Sequence, residues 1–236
     1  MNPGTPLSRR TRIKICGLTR EEDVEAAVTA GADAVGFVMY AGSPRCVSPA
    51  RAAELARRLP PFVTPVLLFV NEEPRAVLAA CEQVAGPAVQ FHGDETAEQC
   101  LAGTGNGRYP FLRVARIPLN GSPPFDLVKF AARYPQAQAI LLDAYVEGYG
   151  GGGKAFDWSL LPPSVNCHLV LSGGLTPANV TDGIVQVRPR CKTLAVDVSS
   201  GVEASASGGS TLKGIKDPEK IHQFVAAVRA ADKLLA

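Results

Sequence analysis

The chain has 236 residues, 46% of them hydrophobic, and its 24 Lys and Arg nearly balance its 22 Asp and Glu. That length and apolar content suit a single large core. The basic residues are scattered apart from the short arm "SRRTR" (residues 8–12), which argues against a nucleic-acid partner.

The first eleven residues read as a frayed extension, with the fold expected over residues 12–236 as one domain. Their stretch "MNPGTPLSRRTR" lacks the apolar segment of a secretory signal. "RIKICG" (12–17) is the first candidate strand, and "REEDVEAAVTAG" the first candidate helix, opened by a Thr19/Glu22 capping-box pattern and stopped at Gly31. "ADAVGFVMY" (32–40) and "VTPVLLFV" (63–70) are the next strands, separated by the helical "PARAAELARRL". "PRAVLAACEQV" leads to the strand "AVQFHG" (88–93), and "AEQCLAG" to the strand "FLRVARI" (111–117). "PFDLVKFAARY" precedes the strand "AILLDAY" (139–145), whose following helix, "DWSLLPP", is the weakest. "HLVLSGG" (168–174) and "TLAVDVSSG" (193–201) are the last strands, with "PANVTDGIVQV" between them and "PEKIHQFVAAVRAADKLL" at the end. Thr176-Pro177 and Asp217-Pro218 each offer an N-cap followed by Pro in the first helical turn.

Eight strand–helix units in one chain predict a (β/α)₈ barrel, the TIM barrel. The competing architecture is a doubly wound open sheet, but its GxGxxG signature after the first strand is absent. No apolar run reaches the about 18 residues of a spanning helix, so no membrane association is expected. The six cysteines are spread along the chain without CxxC spacing, and read as reduced thiols of a cytoplasmic protein rather than as a disulfide frame or a metal site.

In such a barrel the chemistry gathers at the C-terminal ends of the strands. Those positions are Cys16, the "SPR" after strand two, Asn71, Gln90 and His92, Asp143, Ser172-Gly173-Gly174, and Asp197 with Ser199, Ser200 and Gly201. Strand alternation puts Lys14 with Cys16, Leu141 with Asp143, and Ala195 with Asp197, so Cys16, Asp143 and Asp197 are expected to face the mouth. "SGGLTPANV" and "DVSSGVE" close units seven and eight, where glycines and successive N–H groups would make a phosphate nest. "GIKDPEK" would add a helix N-terminus. The four glycines 150–153 fit a mobile active-site loop better than a core segment. Cys16 lies close to a helix start and beside Lys14, which favours a thiolate. Asp143 lies in an apolar strand, which favours the neutral acid. Taken alone, the same two residues also fit an inert buried Cys and a structural Asp.

The motifs "KICGLT", "GADAVGFVMYAGSPRCV", "VQFHGDE", "LLDAY", "GGGGKAFDW", "LSGGLTPANV", "AVDVSSGVE" and "GIKDPEKI" together resemble the phosphoribosylanthranilate isomerases of tryptophan biosynthesis. The resemblance runs in order through all eight units from Arg12 onward. It implies an Amadori rearrangement of a phosphosugar substrate, without metal or organic cofactor, in a monomer or homodimer. Carried onto this chain, it makes Asp143 the general acid and Cys16 the general base, gives Arg45 the anthranilate carboxylate and Asp197 the sugar, with Gln90 and His92 nearby. It gives the phosphate to Gly173, Gly174, Ser199, Ser200 and Gly201. Relatives often carry Thr in the glycine loop and an aromatic residue at the position of Cys46, which bears on substrate fit and loop behaviour. Related phosphosugar isomerases pair aspartates on strands one and five, whereas this chain has Cys16 and no acid in "FLRVARI". A barrel that only binds phosphate would need neither Cys16 nor Asp143.

Overall fold

The computed structural model describes residues 10–119, 124–145 and 155–235. The glycine stretch 150–153 and residues 1–9 of the extension lie outside the described residues.

Eight parallel strands close in sequence order into a barrel. They are β1 (Arg12–Cys16), β2 (Ala34–Val38), β3 (Thr64–Phe69), β4 (Ala88–Phe91), β5 (Phe111–Ile117), β6 (Ala139–Ala144), β7 (Leu169–Leu171) and β8 (Leu194–Val198). Closure is made by β1 against β8, with Lys14 in register with Asp197. The helices are α1 (Glu21–Ala30), α2 (Pro49–Ala56), α3 (Pro74–Gln83), α4 (Ala97–Gly103), α5 (Leu127–Ala132), α6 (Val180–Val187) and α7 (Pro218–Leu234). Every strand expected from the sequence is present; β5 has the expected bounds and the other seven are shorter than expected.

Alternation divides the strands between two apolar layers. Ile13, Ile15, Val35, Phe37, Leu67 and Phe69 face outward into the layer beneath the helices, which is the main core. Val114, Ala139, Leu141 and Val170 fill part of the barrel interior, and Cys16, Val38, Leu68 and Val70 fill another part nearer the mouth. The apolar filling thus reaches Cys16, and the polar Gln90, Asp143 and Asp197 are buried as well.

Side-chain caps open several helices, and among them the sequence reading singles out Asp217. Ser48 accepts from Arg51 N–H, Thr96 and Gln99 form a reciprocal capping box, and Asp217 accepts from Glu219 and Lys220 N–H. Each such cap contributes about 1 kcal/mol. Two others differ. Thr19 does not cap α1, because its hydroxyl donates to Gly214 O, and the helix starts from Arg20 without a side-chain cap. Thr176 does not cap α6 either. Asn179 takes the turn instead, accepting from Thr176 N–H and donating to Gly174 O, and the helix begins at Val180. The weak sixth helix is a single 3₁₀ turn, Trp158–Leu160, capped by Asp157 and ended by Pro162 and Pro163.

Thr11, placed in the extension by the sequence, is buried and tied to α7. Its N–H donates to both Asp232 oxygens at 3.1 and 3.0 Å, and its hydroxyl to Oδ1 at 2.6 Å. An antiparallel hairpin of β9 (Glu203–Ser205) and β10 (Thr211–Lys216) stands between β8 and α7, where the sequence reading placed only loop. β9 has only three residues, and in β10 Leu212 and Ile215 are three apart, so no apolar alternation announces them. The hairpin puts Lys216 in register with Glu203.

Candidate active site

The C-terminal mouth gathers most of the residues expected there. Cys16 closes β1, and Gly36, its partner in register on β2, leaves it room. A Cβ at position 36 would stand 2.6 Å from the Cys16 sulfur. Burial pushes the Cys16 thiol above its ordinary pKa; Lys14 pulls against that rise, Asp197 adds to it, and Lys216 opposes it. The expectation that this environment favours the thiolate is corrected on that point: desolvation outweighs the neighbouring cations.

Lys14 and Asp197 form a buried ion pair at 2.7 Å. Burial alone would lower the Lys14 pKa, but Asp197 and Cys16 reverse the direction, so the ammonium stays charged. Asp197 accepts from Lys14 on Oδ1 and from the Ser172 hydroxyl on Oδ2 at 3.1 Å.

Asp143 is buried at the end of β6. Its Oδ1 accepts from Ala144 N–H at 2.9 Å. Gly173, in the left-handed region at φ 78°, leaves room beside it: a Cβ there would lie 2.6 Å from Ala144 N and 2.9 Å from the same oxygen. On the other side, His92 Nε2 lies 3.0 Å from Asp143 Oδ2, without the alignment of a hydrogen bond. Gln90 Nε2 lies 3.3 Å from His92 Nδ1. Strand four thus brings Gln90 and His92 against the candidate acid, as a row of inward polar side chains.

Arg45 reaches in from the loop after β2. Its stem crosses Gly17, whose φ of 76° and missing Cβ both suit glycine, since a Cβ there would lie 2.6 Å from Arg45 Cδ. Its Nε and Nη2 donate to Glu203 at 2.6 and 2.8 Å, a buried bidentate pair. Burial would raise the Glu203 pKa, but Arg45, Lys216 and the Gly214 N–H together hold it below the usual value. Lys216 is fully buried and donates to Ser199 O at 2.9 Å; burial pushes its pKa down. Sequence reasoning gave Glu203 and Lys216 no role, although both lie within quoted motifs. Their signal was an acid and a base flanking a turn-rich segment, visible only once the hairpin pairs them.

The loops after β7 and β8 sit beside these groups. Gly173 and Gly174 both have positive φ, and Ser200–Val202 form a single 3₁₀ turn. Gly201 is required for a reason the sequence did not suggest: its Cβ would fall 1.9 Å from Leu175 O, so the two loops touch backbone to backbone there. Lys14, Arg45 and Lys216 stand at the mouth with Asp143, Asp197 and Glu203, three basic groups among three carboxyl groups. All six cysteines are free. Among the described residues no group of three or more His, Cys, Asp or Glu could hold a metal, and no helix is long and apolar enough to cross a membrane.

Solved structures of known proteins carry the same architecture. An N-(5′-phosphoribosyl)anthranilate isomerase of Methylibium petroleiphilum is 61% identical over 227 residues, covering 96% of this chain and 98% of its own. The phosphoribosyl anthranilate isomerase of Thermotoga maritima, a dimeric protein, superposes with a TM-score of 0.77 at 42% identity, covering 93% of this chain and 99% of its own. A second structure of such an isomerase, in complex with reduced 1-(o-carboxyphenylamino)-1-deoxyribulose 5-phosphate, superposes with a TM-score of 0.71 at 37% identity, covering 93% of this chain and 99% of its own. The family model for N-(5′-phosphoribosyl)anthranilate isomerase matches residues 13–227, from within β1 to within α7, and the chain belongs to that family of isomerases of tryptophan biosynthesis.

Proposed function

We propose that Cys16 is the general base and Asp143 the general acid of the Amadori rearrangement of N-(5′-phosphoribosyl)anthranilate. The supporting observation is that both are buried, inward-facing groups at the last inner positions of β1 and β6, at one mouth of the barrel. Asp143 gives its proton to the furanose ring oxygen as the C1′–O bond breaks, and the anthranilate nitrogen lone pair forms the C=N bond of a Schiff base. Cys16 then takes the C2′ proton. The C2′–H electrons become the C1′=C2′ bond, and the C=N pair returns to nitrogen, giving an enolamine that tautomerises to the ketone.

The remaining groups bind. Gly173, Gly174, Ser199, Ser200 and Gly201 supply backbone N–H donors to the phosphate. Glu203 fixes the guanidinium plane of Arg45 through Nε and Nη2, and the Nη1 end, which Glu203 does not engage, meets the anthranilate carboxylate. Asp197 and His92 contact the sugar, with Gln90 steadying His92. The dimeric Thermotoga relative supports the homodimer among the assemblies expected here. The free thiols and the absence of a membrane-crossing helix among the described residues support a cytoplasmic location.

The test is Cys16→Ser with substrate deuterated at C2′. The parent should show a primary isotope effect on kcat, and the variant should lose about 10²-fold or more in kcat while still binding a product analogue. A variant that turns over at the parental rate removes Cys16 from the reaction.

A further inference from the structure

Lys14 and Cys16 stand two residues apart on the inner face of β1, and each has a partner in register. Asp197 of β8 lies beside Lys14, and Gly36 of β2 beside Cys16. Gly36 forms a notch that serves both. A Cβ there would lie 2.6 Å from the Cys16 sulfur and 3.1 Å from Lys14 Cε, so the two side chains converge on the space a larger residue would fill. The ammonium bears on the sulfur by charge, while Asp197 accepts its hydrogen bond at 2.7 Å. The charged groups bearing on Cys16 are Lys14 from its own strand, Asp197 from β8 and Lys216 from β10. Lys216 is committed to Ser199 and Glu203, and Lys14 bears on the sulfur more strongly.

We propose that Lys14 is the positioning residue of the base: wedged between Asp197 and the Gly36 notch, its ammonium orients the Cys16 sulfur and stabilises the thiolate, and Asp197 sets how much of that charge reaches the sulfur. A buried thiol without a cation is a poor base, and the geometry supplies one within the same strand. Lys14 does not itself pass a proton. It remains an ammonium while C2′–H breaks and S–H forms, and its charge is then balanced by Asp197 alone. The proposal rests on Cys16 being the base.

Its test is the pH dependence of Cys16 alkylation by iodoacetamide on the full chain, followed peptide by peptide because five other thiols are present. Lys14→Met should move the Cys16 midpoint to higher pH by about one unit, a tenfold loss of thiolate at fixed pH. Lys14→Arg should return most of it. Asp197→Asn should move the midpoint the other way, to lower pH. Turnover of Lys14→Met should fall at neutral pH and recover as pH rises, with KM little changed. A packing role alone predicts the same direction for Lys14→Met and Asp197→Asn and no rescue by Arg. That pattern, or an unmoved midpoint in folded Lys14→Met, overturns the proposal. Should Lys14→Met fail to fold, an Asp197→Asn midpoint that is unmoved or more alkaline overturns it. Alkylation is read without turnover, so this result and the loss of activity in Cys16→Ser can fail independently.

Discussion

Arg45 and Glu203 are joined by a buried bidentate ion pair, with Nε and Nη2 at 2.6 and 2.8 Å from the two carboxylate oxygens. The pair clasps the loop after β2 to the hairpin after β8, and carries Arg45 across Gly17, the residue that follows Cys16. Removing one member of a buried pair leaves a stranded charge at a cost of about 3–5 kcal/mol. Glu203→Ala should therefore lower unfolding free energy by that order in denaturant titration and raise KM. Glu203→Gln keeps one hydrogen-bond acceptor and should lose less. An Ala variant as stable as the parent would mean that water or Lys216 replaces the carboxylate without cost.

The same pair makes a statement about acid. Burial would raise the Glu203 pKa, and Arg45, Lys216 and Gly214 more than reverse it, so the folded value lies below the unfolded one. A depressed carboxyl contributes stability that is present above the unfolded value, about 4.3, and is lost as pH falls through the folded value. The stability of the parent should thus fall on acidification below about pH 4.3. Glu203→Gln should show a shallower loss over that window in parallel melts. Identical acid slopes would exclude Glu203 as a contributor.

Gly201 is expected to act through the loops rather than through the ligand alone. Its Cβ would collide with Leu175 O at 1.9 Å, a backbone atom that can move only with its whole loop. Gly201→Ala should therefore displace the turns after β7 and β8 together. KM should rise several-fold and thermal stability should drop in the same variant. A higher KM with an unchanged melt would point instead to simple obstruction of the phosphate.

The barrel was legible because its signals are local and periodic: eight buried runs such as "AILLDAY", alternating with helical patterns. Alternation also located the inner face, since Lys14, Asp143 and Asp197 needed only the period of two. What stayed hidden depends on contacts between distant segments. Thr19 looks like a cap until Gly214, 195 residues away, takes its hydroxyl. Glu203 and Lys216 look like loop residues until the hairpin aligns them under Arg45. The Cys16 environment was misjudged because a nearby Lys is visible in sequence, whereas the desolvation that outweighs it arises only from the packed barrel.

Asp143 sits between two neighbours, the Ala144 N–H donating to Oδ1 at 2.9 Å and His92 Nε2 at 3.0 Å from Oδ2. This holds the carboxyl in one orientation, with Oδ2 and His92 as its polar edge. A general acid of this kind supplies about 10²–10⁴-fold, and ring opening is the first chemical step, so no later step can bypass its loss. Asp143→Asn is close to isosteric and has no acidic proton to give. It should fold with the parental melt, bind a product analogue with nearly parental affinity, and lose nearly all turnover. His92→Asn should cost less, because His92 steadies the acid without being it. Gln90→Leu should cost less again, since Gln90 touches the acid only through His92 Nδ1. The order of kcat values across the three variants is the measurement. If Asp143→Asn turns over near the parental rate, the assignment of the acid fails, and Asp197 is the carboxyl to examine next.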